Sequence, residues 1–192
     1  MLSRTKILSR IKAGHPNHYP LPRVPMFPFQ GEPREQFENM LKQFDGELIE
    51  FPSRPQVIVW LEENIDMEHR RVFSSIDDFS GNFSLNPSSD LHRAAQVDVC
   101  VADGLMGVGE TGSVWVTDKS LGVPAAALLS TDLFLLLDKK TIVGSLHEAY
   151  GKINLGNCCY GSFYTGPSAT ADIEAVRVTG AQGEISLTVL LY

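Results

Sequence analysis

Asp132-Leu-Phe-Leu-Leu-Leu137 is followed at once by Asp138-Lys-Lys-Thr-Ile-Val-Gly-Ser-Leu-His-Glu-Ala-Tyr150. The first stretch is almost wholly apolar, too short for a helix of its own, and suited to a strand covered on both faces. Lys140 to Tyr150 reads as a helix after it, so the two make a strand-helix unit. Val97 to Ala102 and Gly112 to Thr117 are further buried-strand runs, and Glu184 to Leu191 reads as a last strand. Glu47 to Phe51, Arg70 to Ile76, Tyr160 to Tyr164 and Val176 to Thr179 read as further strands. Between them, Phe37, Met40, Leu41 and Phe44 recur at i, i+3, i+4 and i+7 from Pro33 to Gly46, the spacing of one helix face. Ser53 and Gln56 have capping-box spacing ahead of a stripe of Val57, Trp60, Leu61 and Ile65, with strand an open alternative for Val57 to Leu61. Strands alternating with helices predict an α/β protein, a three-layer α/β/α sandwich with a mainly parallel sheet.

A chain of 192 residues suits one domain, and its 43% hydrophobic and 20% charged residues are ordinary for a globular fold. Two regions are expected: residues 1–33, an N-terminal helix and proline-rich arm, and residues 34–192, the α/β domain. In the first helix Leu2, Ile7, Leu8 and Ile11 form an amphipathic stripe ending at Gly14, which is expected to pack on its own domain, with docking on a partner as the alternative. His15 to Pro33 holds six prolines among large apolar side chains, so it runs extended. It is expected to lie against the domain or a neighbouring subunit, a possible route to a homo-oligomer. His15 and His18 are read as part of a solvated arm.

A formal charge of −7 disfavours a phosphate-tracking surface and hence nucleic acid. The basic first residues interleave with apolar ones and do not lead into a signal-peptide core, and no apolar run is long enough to insert in a membrane. Cys100, Cys158 and Cys159 lack C-x-x-C spacing, which points to a reducing, cytoplasmic compartment. The adjacent pair reads as small residues of a buried strand, with a redox or metal pair as the alternative. Three thiols are too few for an iron-sulfur cluster held by this chain alone. No metal site is expected, since His92 and His147 also lack ligand spacing. Dinucleotide and ATP glycine motifs are absent, Gly104, Gly107 and Gly109 having the wrong spacing.

Two places carry candidate chemistry. Glu110, with Thr111 and Gly112, sits where Gly107 and Gly109 let the chain turn between strand runs. A carboxylate part-buried there would have a raised pKa and serve as a general base, or it would simply cap the turn. The second is Gly166-Pro-Ser-Ala-Thr-Ala-Asp-Ile-Glu174. Free amides with the hydroxyls of Ser168 and Thr170 would make a nest for a small anionic ligand; a locally satisfied turn is the alternative. Asp172 and Glu174 share a face only on an extended segment.

These residues carry a resemblance. Glu110-Thr-Gly-Ser113 after a buried strand, Gly166 to Glu174, and Gly180-x-x-Gly183 before a final strand resemble the LUD (lactate utilisation) family, LutC-like members in particular. The resemblance implies the NagB/RpiA/CoA-transferase-like fold. It implies a subunit without an iron-sulfur cluster, taking part in oxidation of L-lactate to pyruvate with LutA-like and LutB-like iron-sulfur proteins that carry the clusters. An enzyme or binding protein for a sugar phosphate or acyl-CoA is the alternative. By position it assigns catalysis to Glu110 and Asp172 and ligand binding to Thr111, Gly112, Gly166, Ser168, Thr170, Glu174, Gly180 and Gly183. The chain departs from the pattern at Gln182-Gly183-Glu184, where relatives commonly have His and then Gly-Pro, and it is short between Phe51 and Val97.

Overall fold

The computed structural model describes residues 2–14, 20, 22, 24–25, 27–86, 91–156, 158–173, 175–181 and 183–192. His15, His18, Glu174 and Gln182 lie outside the described residues.

Helix α1 (Leu2–Ala13) precedes the arm, and α2 (Pro33–Gln43) opens on a proline whose missing N–H costs nothing at the first turn. After β1 (Glu47–Glu50) comes α3 (Arg54–Asn64), which settles the helix-or-strand alternative for Val57 to Leu61 as helix. Ser53 occupies the N-cap, but its side chain makes no capping bond, so the capping box does not form. β2 (Val72–Ser74) leads through a short 3-10 helix to β3 (Val99–Asp103). The glycine-rich stretch read as a loop contains β4 (Met106–Val108), followed by β5 (Ser113–Thr117), α4 (Asp118–Leu121), α5 (Pro124–Leu129) and β6 (Asp132–Leu137).

The helix expected from Lys140 is displaced. A 3-10 turn and the two-residue β7 (Ile142–Val143) come first, and α6 (Leu146–Lys152) starts only after Ser145, whose hydroxyl caps it by accepting the Glu148 N–H. The β-branched pair Ile142-Val143 finds a partner strand in β4, and Gly144 separates it from the helix. β8 (Gly161–Tyr164), β9 (Ala169–Ile173), β10 (Val176–Thr179) and β11 (Ser186–Leu191) complete the chain.

Five strands form the central sheet in the order β1-β11-β6-β3-β2, all parallel. Alternation along them divides the core. Cys100, Ala102, Leu133, Leu135, Leu137, Leu187, Val189 and Leu191 face one side, with Phe37 and Leu41 of α2 and Val114 and Val116 of β5. Val99, Val101, Leu136 and Leu190 face the other, where Val57 and Leu61 of α3 cover them. The layer on the first side is thus not purely helical. It includes a second sheet, β7-β4-β5-β8, whose far face packs Met106, Val108 and Trp115 against Ala149 and Ile153.

Two expectations fail at the start of the chain and at the cysteines. α1 does not pack on the domain: its residues 3–13 are exposed, Ile7 at 58%. Its stripe of Ile7, Leu8 and Ile11 is left open to solvent. Of the arm's described residues, Phe29 reaches the domain, where its ring abuts Gly144. Cys158 and Cys159 belong to no strand; they join α6 to β8, half-buried and exposed respectively, while Cys100 is buried in β3.

Candidate functional site

Strand β8 lies at the edge of the second sheet, paired on one side only, with β5. Side chains two and four apart on an extended chain share a face, so Tyr160, Ser162 and Tyr164 point together toward the central sheet. Tyr164 is buried in the main core, and its hydroxyl lies 3.5 Å from that of Tyr160. The chain then turns at Gly166 and Pro167. Gly166 has φ +62°, and a Cβ there would strike the backbone of Phe44 just past α2, so only glycine fits.

The next turn is tied to the start of β11. Ser168 N–H donates to the Glu184 carbonyl oxygen at 3.0 Å, and Gly180 N–H donates to the Ser168 carbonyl at 2.7 Å. Gly183 leaves room for the Ser168 side chain, which a Cβ would meet at 2.7 Å. Glu184 is thereby held at the amino end of the central sheet, only 4% exposed. Tyr160, Ser162, Tyr164, Thr165, Gly166, Ser168 and Glu184, with Leu128 and Phe163, line a cavity of about 260 Å³.

Burial sets the electrostatics. Removed from water, the Glu184 carboxyl is pushed above the usual carboxylate range, partly offset by its own backbone N–H. Burial, then the Tyr160 hydroxyl, push Tyr164 up strongly, and burial with the nearby Glu184 charge pushes the Cys100 thiol up to about 12. A carboxyl with its proton affinity raised beside fixed hydroxyls can accept and return a proton.

The expected residues divide. Gly166 and Ser168 line this cavity, and Gly183 packs against the Ser168 side chain beside it. Thr111 reaches it indirectly: Ser113 Oγ donates to Thr111 Oγ1 at 2.7 Å and sits 2.5 Å from Oγ1 of Thr165, a cavity residue. Gly112 (φ +63°) packs where a Cβ would strike the backbone of Met40 and Leu41. Glu110 is elsewhere and exposed, against the expected part-burial, and its Oε2 accepts the Leu146 N–H at 2.9 Å. It faces outward because the turn after β4 carries it toward the start of α6, where it caps that helix and not its own turn.

The amide nest does not form. The segment from Ala169 is a strand in a β9-β10 hairpin, its backbone bonded across the ladder, and the Ser168 amide is already taken. Asp172 is exposed, and its N–H donates to Thr170 Oγ1 at 3.3 Å within the hairpin. Gly180 (φ +75°) turns the chain out of that hairpin beside Ile185.

Glu184, Tyr160 and Tyr164 were not singled out from sequence. The signals present were the even spacing of the tyrosines and an acidic residue directly ahead of an apolar strand. Among the described residues no group of three or more His, Cys, Asp or Glu is placed to hold a metal ion. Nor is any helix long and apolar enough to cross a membrane.

A sequence model of the LUD domain matches residues 54–192, which takes in the central sheet from β2 onward and every residue of the cavity. The chain belongs to the LUD domain family. In structure it is similar to a DUF162 family protein from Deinococcus radiodurans, whose crystal structure is known at 1.70 Å. The TM-score is 0.59 at 14% identity, over 83% of this chain and 95% of that one, a likeness of fold. No curated protein matches the chain.

Proposed function

We propose that this LUD domain protein is a LutC-like subunit that carries no iron-sulfur cluster and takes part in oxidising lactate to pyruvate in the cytoplasm. The clusters belong to LutA-like and LutB-like partner proteins. The observation that carries the reading is the buried Glu184 carboxyl facing a cavity walled by hydroxyls. In this scheme the hydroxyls of Tyr160, Ser162 and Ser168 donate to the substrate carboxylate, and Glu184 accepts the proton of the C2 hydroxyl. Lactate loses two protons and two electrons in becoming pyruvate: Glu184 takes the hydroxyl proton, the C2 proton passes to water, and the iron-sulfur clusters of the partners would take the two electrons one at a time. Glu184 thus supplies, within the same turn, the ionisable group missing at Gln182. Family membership and the three unpaired thiols support this assignment.

Among the described residues the cavity lining includes no lysine or arginine. A second reading is a stand-alone enzyme on a sugar phosphate or acyl-CoA, whose anionic groups the hydroxyls would have to hold without a cation.

Affinity capture of the protein from its native cells, with mass spectrometry of what accompanies it, is the test. Recovery of two iron-sulfur proteins, and a loss of lactate oxidation by roughly 10²–10⁴-fold in the assembly carrying Glu184→Gln, are expected. Capture without such proteins, or full activity of the variant, would overturn the proposal.

A further inference from the structure

The cavity at Glu184 does not end at β8. A second, larger cavity of about 550 Å³ lies over the other face of the strand, lined by Trp115, Tyr150, Ile153, Leu155 and Cys158 among others. Tyr160, Ser162 and Phe163 line both, so the two meet across the edge strand. The second cavity is apolar and aromatic. Phe163 lies tilted against Trp115 with ring centroids 4.8 Å apart and meets Tyr150 edge-on at 5.8 Å. Tyr150 and Leu155 nevertheless stay 66% and 53% exposed, apolar surface beside a polar pocket with none of the described residues covering it.

We infer that the two cavities form one bipartite site, whose ligand is a 2-hydroxy acid with a large apolar side chain: the acid and hydroxyl lie at Glu184, and the side chain crosses β8 onto Phe163, Tyr150 and Leu155. Lactate, whose side chain is one methyl group, would fill the polar end alone. The assignment rests on the Glu184 cavity being the ligand site. It adds the substrate class: hydrophobic contact in the second cavity adds affinity in proportion to the apolar area it buries.

Isothermal titration of the whole protein with L-lactate and with L-3-phenyllactate tests this, on wild type, Leu155→Asp and Tyr150→Ala. Both substituted positions are exposed, so the variants keep the fold, which circular dichroism checks. Phenyllactate is expected to bind wild type at least about tenfold more tightly than lactate. Either substitution should remove most of that advantage and leave lactate affinity unchanged. Equal binding of the two acids, or an advantage that survives both substitutions, overturns the bipartite site and leaves the Glu184 reading standing. Binding of neither acid overturns both.

Discussion

Burial of the Glu184 carboxyl has a measurable thermodynamic sign. Below the ordinary carboxylate pKa of about 4.3 the group is protonated folded or unfolded and contributes no pH dependence. Above it the unfolded chain releases the proton while the folded chain, whose pKa is raised, retains it. Stability therefore falls as pH climbs from there through the folded pKa, and levels off beyond it. Urea midpoints of wild type and Glu184→Gln across that window should diverge, wild type losing stability relative to the variant; parallel curves would show that the carboxyl is hydrated. At this scale the sequence was half legible. Gly166, Ser168 and Gly183 could be picked out because turn residues announce themselves locally. Glu184 could not, because what buries it comes from Tyr164 and the 166–168 turn, remote in sequence and joined only by the fold. Glu110 misled for the converse reason: its glycine-rich setting resembled a buried corner, yet its partner is an exposed helix start.

Helix α3 stands nearly alone on its side of the central sheet, with Trp60 set edge-on to Phe134 and Phe51 beside it. Leu61, fully buried there, should cost about 2–5 kcal/mol when cut to alanine, whereas Val59→Ala, at a position 51% exposed on the same helix, should cost less than about 0.5 kcal/mol. Chemical denaturation of the pair checks this, and similar costs would mean that α3 is not the cover of that face. Elements of the parallel sheet were readable because a strand buried on both faces leaves an unbroken apolar run, as in Leu133 to Leu137 of β6 and Val99 to Ala102 of β3. Of the small strands, β4 and β7 were not. β4 is a Met-Gly-Val segment that only its pairing with β5 and β7 makes a strand, and β7 was absorbed into a helix whose true start is fixed by Ser145.

For the molecule as a whole, α1 is an appendage whose stripe of Ile7, Leu8 and Ile11 faces solvent. Removing residues 2–14 should shift unfolding free energy by less than about 0.5 kcal/mol, with an unchanged denaturant slope. A larger loss would show that the helix closes onto the domain. The layered α/β plan was legible from alternation of element types; that one flank is largely a second sheet was not, since short edge strands carry little periodicity.

The strand order has a further consequence, for the history of each molecule. β11 is the latest strand in chain order, yet it lies inside the sheet between β1 and β6, with Glu47 opposite Thr188 and Asp132 opposite Ser186. During synthesis β1 and β6 must therefore wait with unpaired, apolar flanks until β11 leaves the ribosome. Contacts so distant along the chain slow folding, and open strand edges invite association with other nascent chains. The gap that β11 fills is thus a period of vulnerability, in which the half-built sheet lacks the protection that its own last strand later provides.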